Sequence, residues 1–244
     1  MLNDNIDPSS PRLRKDYPLD ANRKWVVILI GPPGSGKGTQ AEMLAEKFGL
    51  FHLESSKVIE DKFKNADVSD KVIAHEREAW KSGQLTNPEL VRAWMLEEIR
   101  SLYRKGMGIV LSGSPRTMFE AEGEIPVFEE LYGRDNVRPI HLNLSKEESV
   151  RRNSSRRICE ANRHTIPSFP IFKDITVCPK DGSKLLKREL DTPETISIRY
   201  EVYLRQTQPI ISFMEENGYK MVEIEGEQEI DKVNKDILKG LGEE

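Results

Sequence analysis

Residues Gly31–Gln40 read GPPGSGKGTQ and come directly after the apolar run Trp25-Val-Val-Ile-Leu-Ile30. The order is a buried strand, a glycine-rich turn, then a helix that must begin near Lys37. Glycines let successive backbone N–H groups turn inward as an anion nest. The helix N-terminus adds partial positive charge, and the Lys37 ammonium can reach the outer phosphates. The spacing Gly31-x4-Gly36-Lys37 fits the phosphate-loop pattern, with Gly34, Ser35, Gly36 and Gly38 shaping the cradle. Gly38 stands where Ser or Thr is usual, so Thr39 is the hydroxyl expected near a magnesium ion. The pattern implies a site for a nucleoside polyphosphate.

Composition narrows the class. A chain of 244 residues is one large α/β domain or two smaller ones. No stretch approaches the roughly twenty apolar residues of a membrane span. Residues 1–24 hold three prolines among polar residues and no apolar core of a secretory signal, so they read as a flexible tail. Two cysteines make no disulfide framework, which points to a reducing cytoplasm. The net charge of −4 argues against a dedicated nucleic-acid binder. One segment runs the other way: Arg151–Glu189 carries ten Lys and Arg against four acids, about +6. Six of those ten cations are Arg, the residue that grips phosphate oxygens bidentately.

Along the chain, apolar runs recur at Trp25–Ile30, Leu50–Leu53, Gly108–Ser112, Pro139–Leu144 and Lys220–Ile224. Helical periodicity fills Lys37–Phe48, Glu89–Arg104, Lys146–Arg157, Pro193–Glu216 and Gln228–Leu241. This alternation predicts parallel βαβ crossovers with helices on both sheet faces. Thr192-Pro193-Glu194 is a helix start, and Pro209 predicts a kink near Thr207–Gln208. Two stretches break the rhythm. Ser55–Leu85 reads as short polar helices, and Ile158–Leu190 lacks helical period. Insertions that long flanking a phosphate loop predict two covers over one cleft.

Further motifs make a family resemblance specific: Gly83-Gln-Leu-x-x-x-Glu-Leu-Val91, Gly113-Ser-Pro-Arg-Thr117, Arg152-x-x-x-Arg156-Arg157, Arg188-x-x-Asp191 and Arg199. With the Gly31 motif they occur in the order and spacing of the adenylate kinases of long-lid type, and the chain resembles that family from about Trp25 to Leu241. The resemblance implies a P-loop NTPase-like three-layer fold with a five-stranded parallel sheet. It implies a core from 24–53, 86–150 and 191–244, a nucleoside-monophosphate-binding insertion at 54–85 and a lid at 151–190, behind a tail at 1–23. The implied reaction is reversible, magnesium-dependent transfer of the ATP γ-phosphoryl to AMP, giving two ADP. The implied catalytic set is Lys37, Arg116, Arg156, Arg188 and Arg199, with Arg152 stacked on the donor adenine. The implied AMP site is Ser55, Lys57, Glu60, Leu85, Gly113, Arg116 and Glu120. Physical reasoning agrees, since phosphoryl transfer needs in-line positioning, positive charge on the moving oxygens and exclusion of water. A monomer is expected, because two mobile covers leave little fixed surface.

Departures from the family set the open questions. Ser112 replaces the Asp that usually holds Mg2+ through water. Glu60 replaces an arginine that contacts the AMP phosphate, and Lys57, a helical turn earlier, either pairs with Glu60 or takes over the phosphate. Glu120 replaces the adenine-reading Gln; an ionised carboxylate only accepts, which suits the N1–H and N2–H2 donors of guanine. An enzyme for another acceptor such as GMP, and a non-catalytic nucleotide sensor, are therefore the alternatives. In the lid, Cys159, Cys178 and Asp181 occupy zinc-ligand positions of the family, with Asn162 at the fourth and His164 two residues on as a better ligand; the alternative is a hydrogen-bonded polar cluster that staples the lid without metal.

Overall fold

The computed structural model describes residues 24–67, 69–81, 86–161, 164–167, 172–187 and 191–243. Five parallel strands, β1 (Val26–Ile30), β2 (Phe51–Glu54), β3 (Ile109–Ser112), β4 (Val137–Asn143) and β8 (Val222–Glu225), form a sheet in the order β2-β3-β1-β4-β8. β1 is central and buried at all five positions. Its alternate side chains serve opposite faces, as the two-residue period of a strand requires. Val26, Ile28 and Ile30 join α4 (Pro88–Arg104), α5 (Met118–Tyr132) and α8 (Pro209–Glu216) through Met95, Ile99, Phe128 and Met214. Val27 and Leu29 join α1 (Lys37–Phe48) and α9 (Ile230–Leu241) through Leu44, Phe48, Val233 and Ile237. Helices therefore cover both faces, the three-layer arrangement the alternation predicts. The phosphate loop leaves the C-terminal end of the central strand, where such sheets place their ligands.

The first insertion folds as α2 (Ser55–Asn65) and α3 (Lys71–Lys81), the short helices anticipated there. After α6 (Lys146–Ser154) the second forms a small antiparallel sheet, β6-β5-β7, from β5 (Arg157–Cys159), β6 (Thr165–Ile166) and β7 (Leu185–Lys187). α6 stops three residues before the expected Arg157 because Arg157 already pairs in β5.

Two further differences from the sequence-based expectation have physical causes. The helix α5 was not anticipated: Gly123 and Pro126 interrupt it, and its buried face includes the acids Glu120 and Glu124. The expected single helix Pro193–Glu216 is divided into α7 (Pro193–Val202), a π-helical turn at Tyr203–Thr207, and α8. Pro209 has no N–H, and its ring opposes the carbonyl four residues back, so the backbone widens and Gln208 N–H reaches Tyr203 O at 2.9 Å. The break falls where the proline predicts it. Among the described residues, no helix is long and apolar enough to cross a membrane.

Candidate active site

Gly34 and Gly36 take left-handed backbone, with φ of 80° and 92°. A Cβ at Gly34 would lie 2.4 Å from Asn153 Nδ2, so only glycine lets α6 pack against the loop there. Ser149 on α6 donates to Pro33 O at 2.6 Å, fixing the loop from the same side. α1 begins after Gly36 with no side-chain cap and no acid in its first turn, which leaves its N–H groups to an anion. Lys37 Nζ donates to Gly31 O at 2.7 Å and Pro32 O at 2.8 Å and stands 3.3 Å from Ser35 Oγ. Gly38 and Thr39 lie in the first helical turn, on the same mouth of the loop.

Around this cradle the structure gathers arginines from distant segments. Burial lowers the Lys37 pKa to about 7, helped by the charges of Arg116, Arg199 and Arg156. Four cations from four separate segments of the chain thus share one neighbourhood. Asp191, fully buried, holds two of them: Arg156 Nε and Nη2 donate to its carboxylate at 2.7–2.9 Å, and Arg199 Nη1 lies 3.5 Å away. One carboxylate fixes two guanidiniums without neutralising the set, so a polyphosphate entering here meets preorganised, mutually repelling charge. Arg152 is also inside, donating to Glu148 Oε1 at 2.6 Å and Gly226 O at 2.8 Å. Hydrogen bonds from Arg151, joined by those from Arg152, draw Glu148 down to a pKa of about 2.

Arg116 sits in the loop between β3 and α5. Its Nε donates to Gly113 O at 2.7 Å, and Nη2 lies 3.3 Å from Ser55 Oγ, which itself donates to Gly113 O at 2.7 Å. Gly113 has φ of 101°, and a Cβ there would lie 2.9 Å from Arg116 Nη2. Three expected acceptor-side residues, Ser55, Gly113 and Arg116, therefore form one cluster. Glu120 turns inward: its Oε2 accepts the Arg116 N–H at 2.6 Å, and burial raises its pKa. One turn on, Glu124 is fully buried; Ser114 Oγ donates to its Oε1 at 2.7 Å, and burial with the neighbouring Glu120 pushes its pKa to about 8. Lys57 pairs with Glu54 at 3.4 Å, a partner the sequence did not suggest, and is half exposed; Glu60 is partly buried on the same helix. Ser112 lies 2.6 Å from His52 Nε2 at the strand ends.

In the second insertion, ligand atoms of Cys159, His164, Cys178 and Asp181 all lie within 4.8 Å of one another. His164 Nδ1 is 3.1 Å from Asp181 Oδ2 and 3.4 Å from Cys178 Sγ, and Cys159 Sγ is 3.3 Å from Asp181 Oδ2. Both thiols are free and buried. Burial and Lys180 lower the His164 pKa, favouring the neutral imidazole that a metal requires. The donor set of two thiols, an imidazole and a carboxylate suits tetrahedral zinc. Beside it, Lys180 pairs with Glu42 on α1.

Of the expected residues, Leu85, Asn162 and Arg188, like the tail at 1–23, lie outside the described residues. Sequence reasoning missed what steadies the arginines: Asp191 as a shared anchor, the Ser114–Glu124 pair, and Thr207, whose hydroxyl donates to Arg116 O at 2.8 Å. The one readable signal was the capping pattern Thr117-x-x-Glu120, which the structure realises through Glu120 N–H to Thr117 Oγ1 at 3.2 Å.

A P-loop at the end of a central parallel strand, ringed by arginines under two insertions, defines a P-loop phosphotransferase. Comparison with known proteins narrows this. The adenylate kinase family model matches residues 29–219. Adenylate kinases of Bacillus velezensis and Caldicellulosiruptor bescii are 34% and 35% identical over 220 and 219 residues, each covering 88% of this chain and 97% and 98% of their own. That of Bacillus subtilis is 33% identical over 220 residues, 88% of this chain and 97% of its own. The chain belongs to the adenylate kinase family, the ATP:AMP phosphotransferases.

Proposed function

We propose that this chain transfers the γ-phosphoryl of Mg·ATP reversibly to AMP, with the donor triphosphate on Gly34–Thr39 and the acceptor phosphate on Arg116. The observation that carries the reading is the convergence of Lys37, Arg116, Arg156 and Arg199, two of them pinned by buried Asp191. Phosphoryl transfer demands such a fixed cationic field around in-line oxygens. Lys37 holds the outer phosphates of the donor. Arg156 and Arg199, with Arg188, bridge the two nucleotides, and Arg152 stacks on the donor base. Mg2+ enters with ATP as part of the substrate. Ser112 offers it no carboxylate and Asp191 is engaged by arginine. Thr39, water and phosphate oxygens are then its ligands, in keeping with the few protein ligands magnesium usually takes. Residues 54–85 act as the monophosphate-binding cover and 151–190 as the lid. Closure of such covers excludes water, adenylate kinase lids being a well-known instance.

The acceptor base is read as adenine. The guanine alternative needs Glu120 as a free carboxylate. Instead, one of its oxygens is used on Arg116 N–H, and burial moves the group toward its neutral form, which can donate as well as accept. Lys57, Glu60 and Leu85 complete the acceptor cover. The lid cluster of Cys159, His164, Cys178 and Asp181 is read as a structural zinc site, with His164 rather than Asn162 as the fourth ligand. A cytoplasmic enzyme fits the two free buried thiols, and a monomer remains the expected state.

The test is an acceptor panel: Mg·ATP with AMP, GMP, CMP or UMP, and quantified diphosphates. AMP should turn over fastest. A preference for GMP would reassign Glu120, and nucleotide binding without any turnover would make the chain a sensor. Elemental analysis of protein purified without added metal should give zinc near one per chain; a value near zero removes the metal.

A further inference from the structure

We propose that Thr207 is a positioning residue for the acceptor: its hydroxyl holds the Arg116 carbonyl and so sets where the Arg116 guanidinium stands. This rests on the proposed role of Arg116 in holding the acceptor phosphate. Arg116 lies in a loop, outside helix and strand, so no ladder fixes its peptide. Its two backbone groups are instead taken from opposite sides. Glu120 Oε2 accepts the N–H at 2.6 Å, and Thr207 Oγ1 donates to the C=O at 2.8 Å. The guanidinium is then steered by Gly113 O and Ser55 Oγ.

Thr207 reaches this carbonyl because of the π-helical turn. In an α-helix a threonine hydroxyl commonly folds back on its own preceding turn. The wide turn at Tyr203–Thr207 adds one residue to the circuit, rotating the next stretch of helix by about 100° relative to α7. That rotation turns Thr207 outward to another element. The start of the turn is anchored as well: Tyr203 OH lies 2.9 Å from His141 Nε2, and His141 Nδ1 lies 2.8 Å from Glu223 Oε2. The helix that carries Arg199 at its last turn therefore carries, two turns later, the group that fixes Arg116. One continuous element spaces the bridging arginine against the acceptor arginine. A β-branched side chain with a hydroxyl suits the task, being stiff at χ1 and able to donate.

The experiment is steady-state kinetics of Thr207→Val and Thr207→Ser, varying AMP and ATP separately. Valine keeps the shape and removes the donor. Loss of one hydrogen bond corresponds to roughly a three- to tenfold fall in kcat/KM for AMP, expected mainly through KM, with KM for ATP within about twofold. Serine should restore the wild-type values. In an Arg116→Ala background the same substitution should add less than about twofold, since its effect passes through Arg116. Equal losses on both substrates, failure of serine to rescue, or full additivity would overturn the proposal. Should Thr207→Val fail to fold, Thr207→Ala provides the same comparison. Arg116→Ala with unchanged AMP kinetics would sink the assignment of Arg116 itself, whereas an impaired Arg116→Ala beside a normal Thr207→Val would sink only the role of Thr207.

Discussion

The central sheet and the segment proposed as the lid are held together by different physics. β1 is buried at every position, and apolar side chains of α4, α5 and α8 close over one face and those of α1 and α9 over the other. In the lid, the buried apolar set among the described residues is Cys159, Ile166 and Cys178, with Phe172, Ile175 and Leu185 packed partly against it. Three strands of two or three residues cannot stand on so little burial. Polar links replace it: Arg157 donates to Ile175 O at 2.7 Å and to Phe172 O, and the Cys159–His164–Cys178–Asp181 cluster joins the two ends of the segment. The cradle is thus rigid by packing, and its cover is stapled by a few specific bonds. The small sheet beyond Arg156 is therefore open to rearrangement at lower cost than the packed core.

The largest expected effect breaks the core side of this contrast. Ile28→Ala removes a fully buried side chain from the central strand and should cost about 4 kcal/mol, within the usual span for such truncations, in urea unfolding. A cost below about 1 kcal/mol would mean that packing does not hold the cradle. Next, Lys37→Ala should leave the fold intact and cut turnover more than about a hundredfold, the scale of a lost charged transition-state contact. An unchanged rate would detach the cradle from the chemistry.

The lid should respond in the opposite manner. Chelation, or Cys178→Ser, should remove bound zinc and open the Arg157–Lys187 segment to proteolysis, while the main thermal transition moves by only a few degrees. Loss of the main transition together with the metal would show that the two regions are one cooperative unit.

A smaller effect concerns the buried Glu124. Its pKa in the fold, about 8, exceeds its unfolded value near 4.5. The folded state therefore binds the extra proton between these limits. Its stabilising contribution is full below about pH 4.5, declines across the window and is gone above about pH 8. Glu124→Gln removes that slope, so the wild type should lose stability relative to the variant as pH rises from 5 to 8. Parallel pH profiles would show that Glu124 is ionised in the fold.

The core was legible because its signals are local. Alternation of apolar runs with helical periods located every strand of the main sheet within two residues, and GPPGSGKGTQ located the cradle. Membership of the adenylate kinase family was readable from motif order. The hidden part depends on neighbours remote in sequence. Glu120 is expected from the sequence to read the acceptor base and Glu124 carries no signal, and their burial appears only once Ser114 and Arg116 fold against them. Lys57 meets Glu54, three residues back, a contact the sequence did not suggest. Thr207 is unreadable without the π-helical turn, since an α-helical count would send it elsewhere. The lid offered ligand types in the right order but no periodicity, because its geometry is set by pairing across long connections.

The Lys180–Glu42 contact between lid and α1 joins two partly solvated side chains. Pairs of that kind are worth little in water, commonly under about 1 kcal/mol, and dissolved ions weaken them further. On the proposed reading of 151–190 as a lid, this contact adds only a weak latch. An enzyme that must let two products go after each turnover gains from a door that sticks only lightly, and a stronger clasp at this point would turn departure into the slow event.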